Sequence, residues 1–106
     1  MNVSNAKKVY KIVSQIPKGK VLTYGRVAEL AGINNPRLVG SILHKNTDPD
    51  HVPCHRVVSA QGKVAKSYAF GGGNAHAVRL EEEGVKVVAG NIDLHTFLWR
   101  QNYAMA

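Results

Sequence analysis

Thr23-Tyr24-Gly25-Arg26-Val27-Ala28-Glu29-Leu30-Ala31-Gly32-Ile33-Asn34-Asn35-Pro36-Arg37-Leu38-Val39-Gly40-Ser41-Ile42-Leu43-His44 reads as two short helices and the turn between them. Val27, Leu30 and Ala31 share one face of a helix running from Tyr24 to Ala31. Thr23 stands at its N-cap, with Arg26 where a capping box prefers Glu, and Gly32 closes it. Asn35-Pro36 then supplies a second N-cap followed by proline at the first helical position. That helix continues through Val39 to His44. A pair joined this way is a helix-turn-helix, and its second member opens on a basic residue, Arg37.

Upstream, Val9, Ile12, Val13 and Ile16 recur at helical spacing behind Ser4, predicting an amphipathic helix ended by Pro17-Lys18-Gly19-Lys20. Val21-Leu22 is a short extended link. Downstream, Lys45 to Asp50 is a loop by composition. Arg56-Val57-Val58-Ser59 and Lys63-Val64-Ala65 flank Ala60-Gln61-Gly62, which predicts a β-hairpin, the wing of a winged helix-turn-helix. Phe70-Gly71-Gly72-Gly73 is a flexible junction, and Asn74 is the predicted cap of a fourth helix that carries Ala77, Val78 and Leu80 and stops at Gly84. A short strand from Val85 to Val88 follows. Asp93 caps a last turn whose Leu94, Phe97, Leu98 and Trp99 are expected to plug the core, and the tail from Asn102 to Ala106 is expected to fray. The fold class is α+β, mainly α, in one domain spanning residues 1–106.

The one cysteine lies in Pro53-Cys54-His55-Arg56-Val57-Val58. A thiol attacks as thiolate, and an adjacent His and Arg favour that form. The competing reading is a small buried Cys beside two solvated basic residues. A single cysteine excludes an internal disulfide and suits a reducing compartment. No apolar run reaches membrane-spanning length and the start lacks a signal-peptide segment, so a cytoplasmic location without membrane contact is expected. Net charge is +7, from 14 Lys and Arg against 7 acids. Such a field favours polyanions, although basic residues also serve solubility alone.

These landmarks together resemble the O6-alkylguanine-DNA alkyltransferases, the methylated-DNA–protein-cysteine methyltransferases. Pro53-Cys54-His55-Arg56-Val57-Val58 is similar to the active-site motif of that family. Thr23-Tyr24, Arg37-x-Val39-Gly40, Asn46 and Glu83-Gly84 follow in the family's order, and the match runs from about Val9 to Trp99. The resemblance implies a domain that enters the minor groove of double-stranded DNA, rotates an alkylated guanine out of the stack and moves its alkyl group irreversibly to Cys54. O4-alkylthymine is a further implied substrate. It also implies a monomer acting once per molecule, with no cofactor and no metal among the site residues.

By the same resemblance Cys54 is the acceptor, its proton passing through water to His55, whose imidazolium Glu83 holds. On an extended backbone the side chains of Cys54 and His55 would diverge, hence the water. Tyr24 donates a proton to guanine N3, and Asn46 braces the turn around the cysteine. Arg37 is the finger that fills the space left by the extruded base, with Thr23, Tyr24, Gly40 and Ser41 at the DNA. Arg56 is structural. Pro53, Val57, Tyr68 and Ala69 line the substrate pocket, Val57 through its backbone. Taken singly, each has a plainer role: Arg37 a phosphate contact, Tyr24 a half-buried aromatic, Glu83 a surface acid no different from Glu81 or Glu82.

Two departures stand out. The chain opens directly on the DNA-binding domain, where many relatives carry another before it, and Pro36 and Leu38 replace small residues of the third helix. In the alkyltransferase-like proteins, which bind lesions without repairing them, the cysteine is replaced; Cys54 argues for transfer. A lesion sensor that recruits downstream repair proteins and a winged-helix regulator selecting one sequence stay open. A metal site built from His51, Cys54 and His55 is weak with one cysteine. A cysteine hydrolase lacks any sign of an oxyanion hole.

Overall fold

The computed structural model describes residues 4–66, 68 and 70–100. The expectations for Ala69 and for the tail from Asn102 fall outside them. Helix α1 spans Asn5–Ser14, α2 Tyr24–Ala31, α3 Pro36–His44, α4 Gly72–Glu82 and α5 Leu94–Phe97, with a single 3-10 turn at Cys54–Arg56. Four two-residue strands complete the described chain: β1 Leu22–Thr23, β2 Val57–Val58, β3 Val87–Val88 and β4 Asn91–Ile92. The domain is mainly helical with two small sheets. No described helix is long and apolar enough to cross a membrane.

Caps fix the first three helices where the sequence places them. Ser4 accepts from the Lys7 amide, Thr23 from Arg26 and Asn35 from Arg37, each satisfying a donor that the first helical turn leaves unpaired. Gly32 ends α2 at φ 71°, a left-handed conformation that an L side chain resists. Helices α1, α2 and α3 bury Val9, Val13, Val27, Ala28, Ala31, Val39 and Leu43 together in one core. Tyr10 on α1 ties itself to α3 by donating to the Ile42 carbonyl at 3.1 Å.

The strands β1 and β2 run parallel, with Leu22 opposite Val57 and Thr23 opposite Val58. Side chains alternate across a strand, so Leu22 and Val57 enter the helical core. Val21 and Val58 enter a second cluster with Leu80, Val85 and Ile92. The C-terminal segment closes onto this wall: the Val21 amide donates to the Phe97 carbonyl at 2.9 Å, and the Trp99 amide to the Val21 carbonyl at 2.7 Å. Leu98 and Trp99 pack on the first cluster, Leu94 and Phe97 on the second.

Three sequence expectations need correction. Residues 56–59 and 63–65 do not form a hairpin ladder. Ser59 and Lys63 close a turn, but Val57-Val58 leaves to pair with β1, while Lys63 bridges to Asn91. Two consecutive fully buried valines need cover on both faces, which a hairpin with one wet face does not give. The hairpin is instead β3–β4, turning through Ala89 at φ 52° and Gly90 at φ 79°, as a tight two-residue turn with two positive φ angles requires. Helix α4 begins at Gly72 with Gly71 at its N-cap, not at Asn74. Its buried face carries His76 and Leu80, whereas Val78 is exposed.

Candidate active site

A cavity of about 650 Å³ opens between the helix-turn-helix and the segment after the cysteine. Tyr24 lines it from the head of α2, Arg37, Gly40 and Ser41 from α3, and Cys54, Ala65 and Tyr68 from the other side. Cys54 thus borders a cavity although it is only 6% exposed. Pro53 caps the turn that carries it. That turn is 3-10, not the extended backbone expected of Cys54 and His55.

Behind the thiol stands a polar layer. His55, 2% exposed, places Nε2 2.9 Å from Glu83 Oε1. Both its ring nitrogens are buried and neither makes an aligned hydrogen bond among the described residues, so the Glu83 contact is a close approach of Nε2 to the carboxylate. Arg56 grips the same carboxylate twice, Nε to Oε1 at 2.8 Å and Nη2 to Oε2 at 2.6 Å, and donates from Nη1 to the Ile16 carbonyl at 2.7 Å. Glu83 is thus the one glutamate of its run that turns inward, Glu81 and Glu82 being exposed. Asn46, itself buried, donates to the Val52 carbonyl at 2.8 Å and accepts from the Asp48 amide at 3.0 Å. It pins the loop that delivers the cysteine.

Charges in this layer follow from burial and neighbours. Burial pushes the Cys54 thiol up, opposed by the Asn46 hydrogen bond and the Arg79 charge. Burial pushes His55 down, although Glu83 favours its charged form. Burial works against the Glu83 carboxylate, yet the Arg56 hydrogen bonds and the neighbouring His55 hold it below its ordinary value. Tyr24 is raised by burial and by the neighbouring Cys54, and Tyr68 by the same two causes to about 12. The resting site is a neutral thiol, a neutral imidazole, a carboxylate and two protonated phenols.

The structure brings Cys54, Tyr24, Arg37, Gly40, Ser41 and Tyr68 to one cavity and sets His55, Glu83 and Asn46 behind it. Val57 and Pro53 do not line the cavity. Val57 is fully buried in β2, beside β1, with its amide donating to the Cys54 carbonyl. Thr23 spends its hydroxyl on the α2 cap. His51 lies on the surface, 3.0 Å from both Asp48 oxygens, away from the buried Cys54 and His55. Among the described residues no three metal-ligating side chains cluster.

Two residues were missed. His76 and Arg79 extend the inward face of α4 toward Glu83, at the spacing i, i+3, i+7. His76 bonds the His55 carbonyl, and the Arg79 charge acts on Cys54, His55 and Tyr68. That spacing was visible in the sequence.

Residues 4–85 match the family model described as 6-O-methylguanine DNA methyltransferase, DNA binding domain. The chain belongs to that family. Among relatives it is 35% identical over 99 residues to alkyltransferase-like protein 1 of Schizosaccharomyces pombe, covering 88% of this chain and 92% of that protein. It is 40% identical over 84 residues to the methylated-DNA–protein-cysteine methyltransferase of Saccharolobus islandicus, covering 74% of this chain but only 50% of the methyltransferase. The crystal structure of the S. pombe alkyltransferase-like protein with damaged DNA containing O6-carboxymethylguanine superposes at a TM-score of 0.85. It is 33% identical, and the alignment covers 95% of this chain and all of that one. The family of alkylguanine-DNA repair proteins thus includes both lesion-binding and methyl-transferring relatives of this chain.

Proposed function

We propose that this protein repairs O6-alkylguanine in double-stranded DNA by moving the alkyl group onto Cys54, once per molecule. What supports this reading is the place of Cys54 on a cavity shared with Tyr24 and Arg37, next in the chain to a His55 that lies 2.9 Å from Glu83. The net charge of +7 draws the domain to the duplex. Arg37, exposed at the first turn of α3, enters the stack as the damaged base leaves it, and a lesion that pairs poorly costs less to extrude.

The chemistry uses groups in their resting states. The Cys54 S–H proton passes through water to His55 Nδ1, and the imidazolium is held by Glu83 through Nε2. The thiolate sulfur then forms a bond to the alkyl carbon as the carbon–O6 bond breaks. The bonding pair stays on the purine, and Tyr24, kept protonated by its raised pKa, donates to N3. The imidazolium proton returns to the phenolate through solvent, leaving guanine and an S-alkylcysteine. The substrate carries the transferred group, so no cofactor is called on, and a thioether offers no route back.

A second reading is favoured by one observation: the fold superposes at a TM-score of 0.85 on the alkyltransferase-like protein with damaged DNA and at 0.70 on the Mycobacterium tuberculosis OGT with DNA. In that reading the domain holds the extruded base without transfer and recruits other repair factors. Incubation with an O6-methylguanine duplex separates them. One added methyl on the Cys54 peptide supports transfer; tight, lesion-selective binding with an unmodified peptide supports sensing.

A further inference from the structure

His76 is the most deeply buried polar side chain of the domain among the described residues, at 1% exposure, and the chemistry above does not use it. Its ring joins three separate pieces of the site. Nδ1 accepts from the Ala65 amide at 2.9 Å, so it carries no proton. Nε2 must therefore carry it, donating to the His55 carbonyl at 2.7 Å. The ring also stacks on Tyr68, with centroids 4.8 Å apart and planes at 25°. Ala65 and Tyr68 line the cavity, and His55 follows Cys54 in the turn.

We propose that His76 is a positioning residue for the Cys54 pocket, its neutral ring fixing the cysteine turn and the pocket wall at Ala65 and Tyr68 in one arrangement. Only a side chain with an acceptor and a donor at the two ends of a flat ring meets all three partners. Burial pushes its pKa down to about 4, which keeps the required tautomer at neutral pH. An imidazolium would turn a second N–H against the Ala65 amide. A misplaced turn matters because transfer needs the sulfur in line with the breaking bond, and displacements near 1 Å cost about a hundredfold in rate.

The test compares three variants. His76→Phe keeps ring, volume and stacking but loses both hydrogen bonds. His76→Gln sets an amide nitrogen near Nε2 and keeps the His55 bond; His76→Asn sets an amide oxygen near Nδ1 and keeps the Ala65 bond. Val85→Ala, in the second cluster, supplies a control for the lowered melting temperature of His76→Phe. The readouts are single-turnover transfer at saturating O6-methylguanine duplex, affinity for undamaged duplex, and the rate of Cys54 alkylation by iodoacetamide. His76→Phe is expected to slow transfer about a hundredfold, to speed alkylation as the turn loosens, and to leave undamaged-duplex affinity unchanged. His76→Gln should recover most of the loss and exceed His76→Asn. Where His76→Phe does not fold, the Gln and Asn variants decide: equal values for both overturn the proposal. So does a Val85→Ala control, at matched melting temperature, that reproduces every change. The transfer arm rests on the function proposed above. Should the wild type leave Cys54 unmethylated, that function fails while the iodoacetamide comparison still judges His76.

Discussion

Arg56 and Glu83 meet in a two-pronged ion pair, at 2.8 and 2.6 Å, that joins the cysteine turn to the end of α4. Their side chains are only 16% and 11% exposed. The pair does two things at once. It locks the turn against the helix, and it sets the carboxylate where His55 also reaches it.

Removing that charge should cost stability as well as chemistry. Glu83→Gln leaves a buried guanidinium without its counter-ion, a loss of about 3 kcal/mol for a buried pair broken on one side. Glu82→Gln, on the exposed face beside it, should stay within about 0.5 kcal/mol of wild type. Urea unfolding of the two variants provides the comparison.

Tyr24→Phe removes the proton donor and little else, since the ring stays on the cavity wall. Lesion-duplex affinity should hold, while single-turnover transfer falls by about a hundredfold or more. An affinity loss matching the rate loss would move Tyr24 from chemistry to binding.

Arg37 is exposed at the cavity mouth. Arg37→Ala should slow transfer from a duplex by about tenfold or more, with a much smaller effect on a free alkylated base that needs no extrusion. Transfer rates on the two substrates separate the cases, and equal losses would remove its role in the stack.

Acid sensitivity follows from His76. Its folded pKa of about 4 lies below the ordinary 6.5, so between these values the unfolded chain takes up a proton that the folded one refuses. Stability is whole above the upper value and falls with pH, by about 1.4 kcal/mol per unit to a total near 3 kcal/mol. His55, also pushed down by burial, adds to the same fall, and Glu83, held below its ordinary pKa, adds a loss in the same direction as it protonates at still lower pH. His76→Gln, which has nothing to titrate there, should flatten the upper part of this slope in urea midpoints measured from about pH 7 to about pH 4.5.

The helices were legible because their signals are local: a capping side chain, apolar residues at helical spacing, a glycine at the stop. The cysteine motif was legible because five landmarks keep their order. The pairing of Leu22 with Val57 was not, since two-residue strands carry no periodicity and the partners are far apart in sequence. That pairing draws Val57-Val58 out of the expected wing. The inward turn of Glu83 depends on how α4 is phased against the cysteine turn, which composition does not encode. His76 was overlooked because a histidine among alanine, valine and leucine looks like a surface residue until its two backbone partners are in view.

The most direct test of transfer to Cys54 is intact and peptide mass measurement after one incubation with an O6-methylguanine duplex. The account predicts one methyl per chain, on the peptide carrying Cys54, with guanine restored in the DNA and Cys54→Ser inert. A chain that binds the lesion tightly yet keeps its thiol unmodified would contradict it.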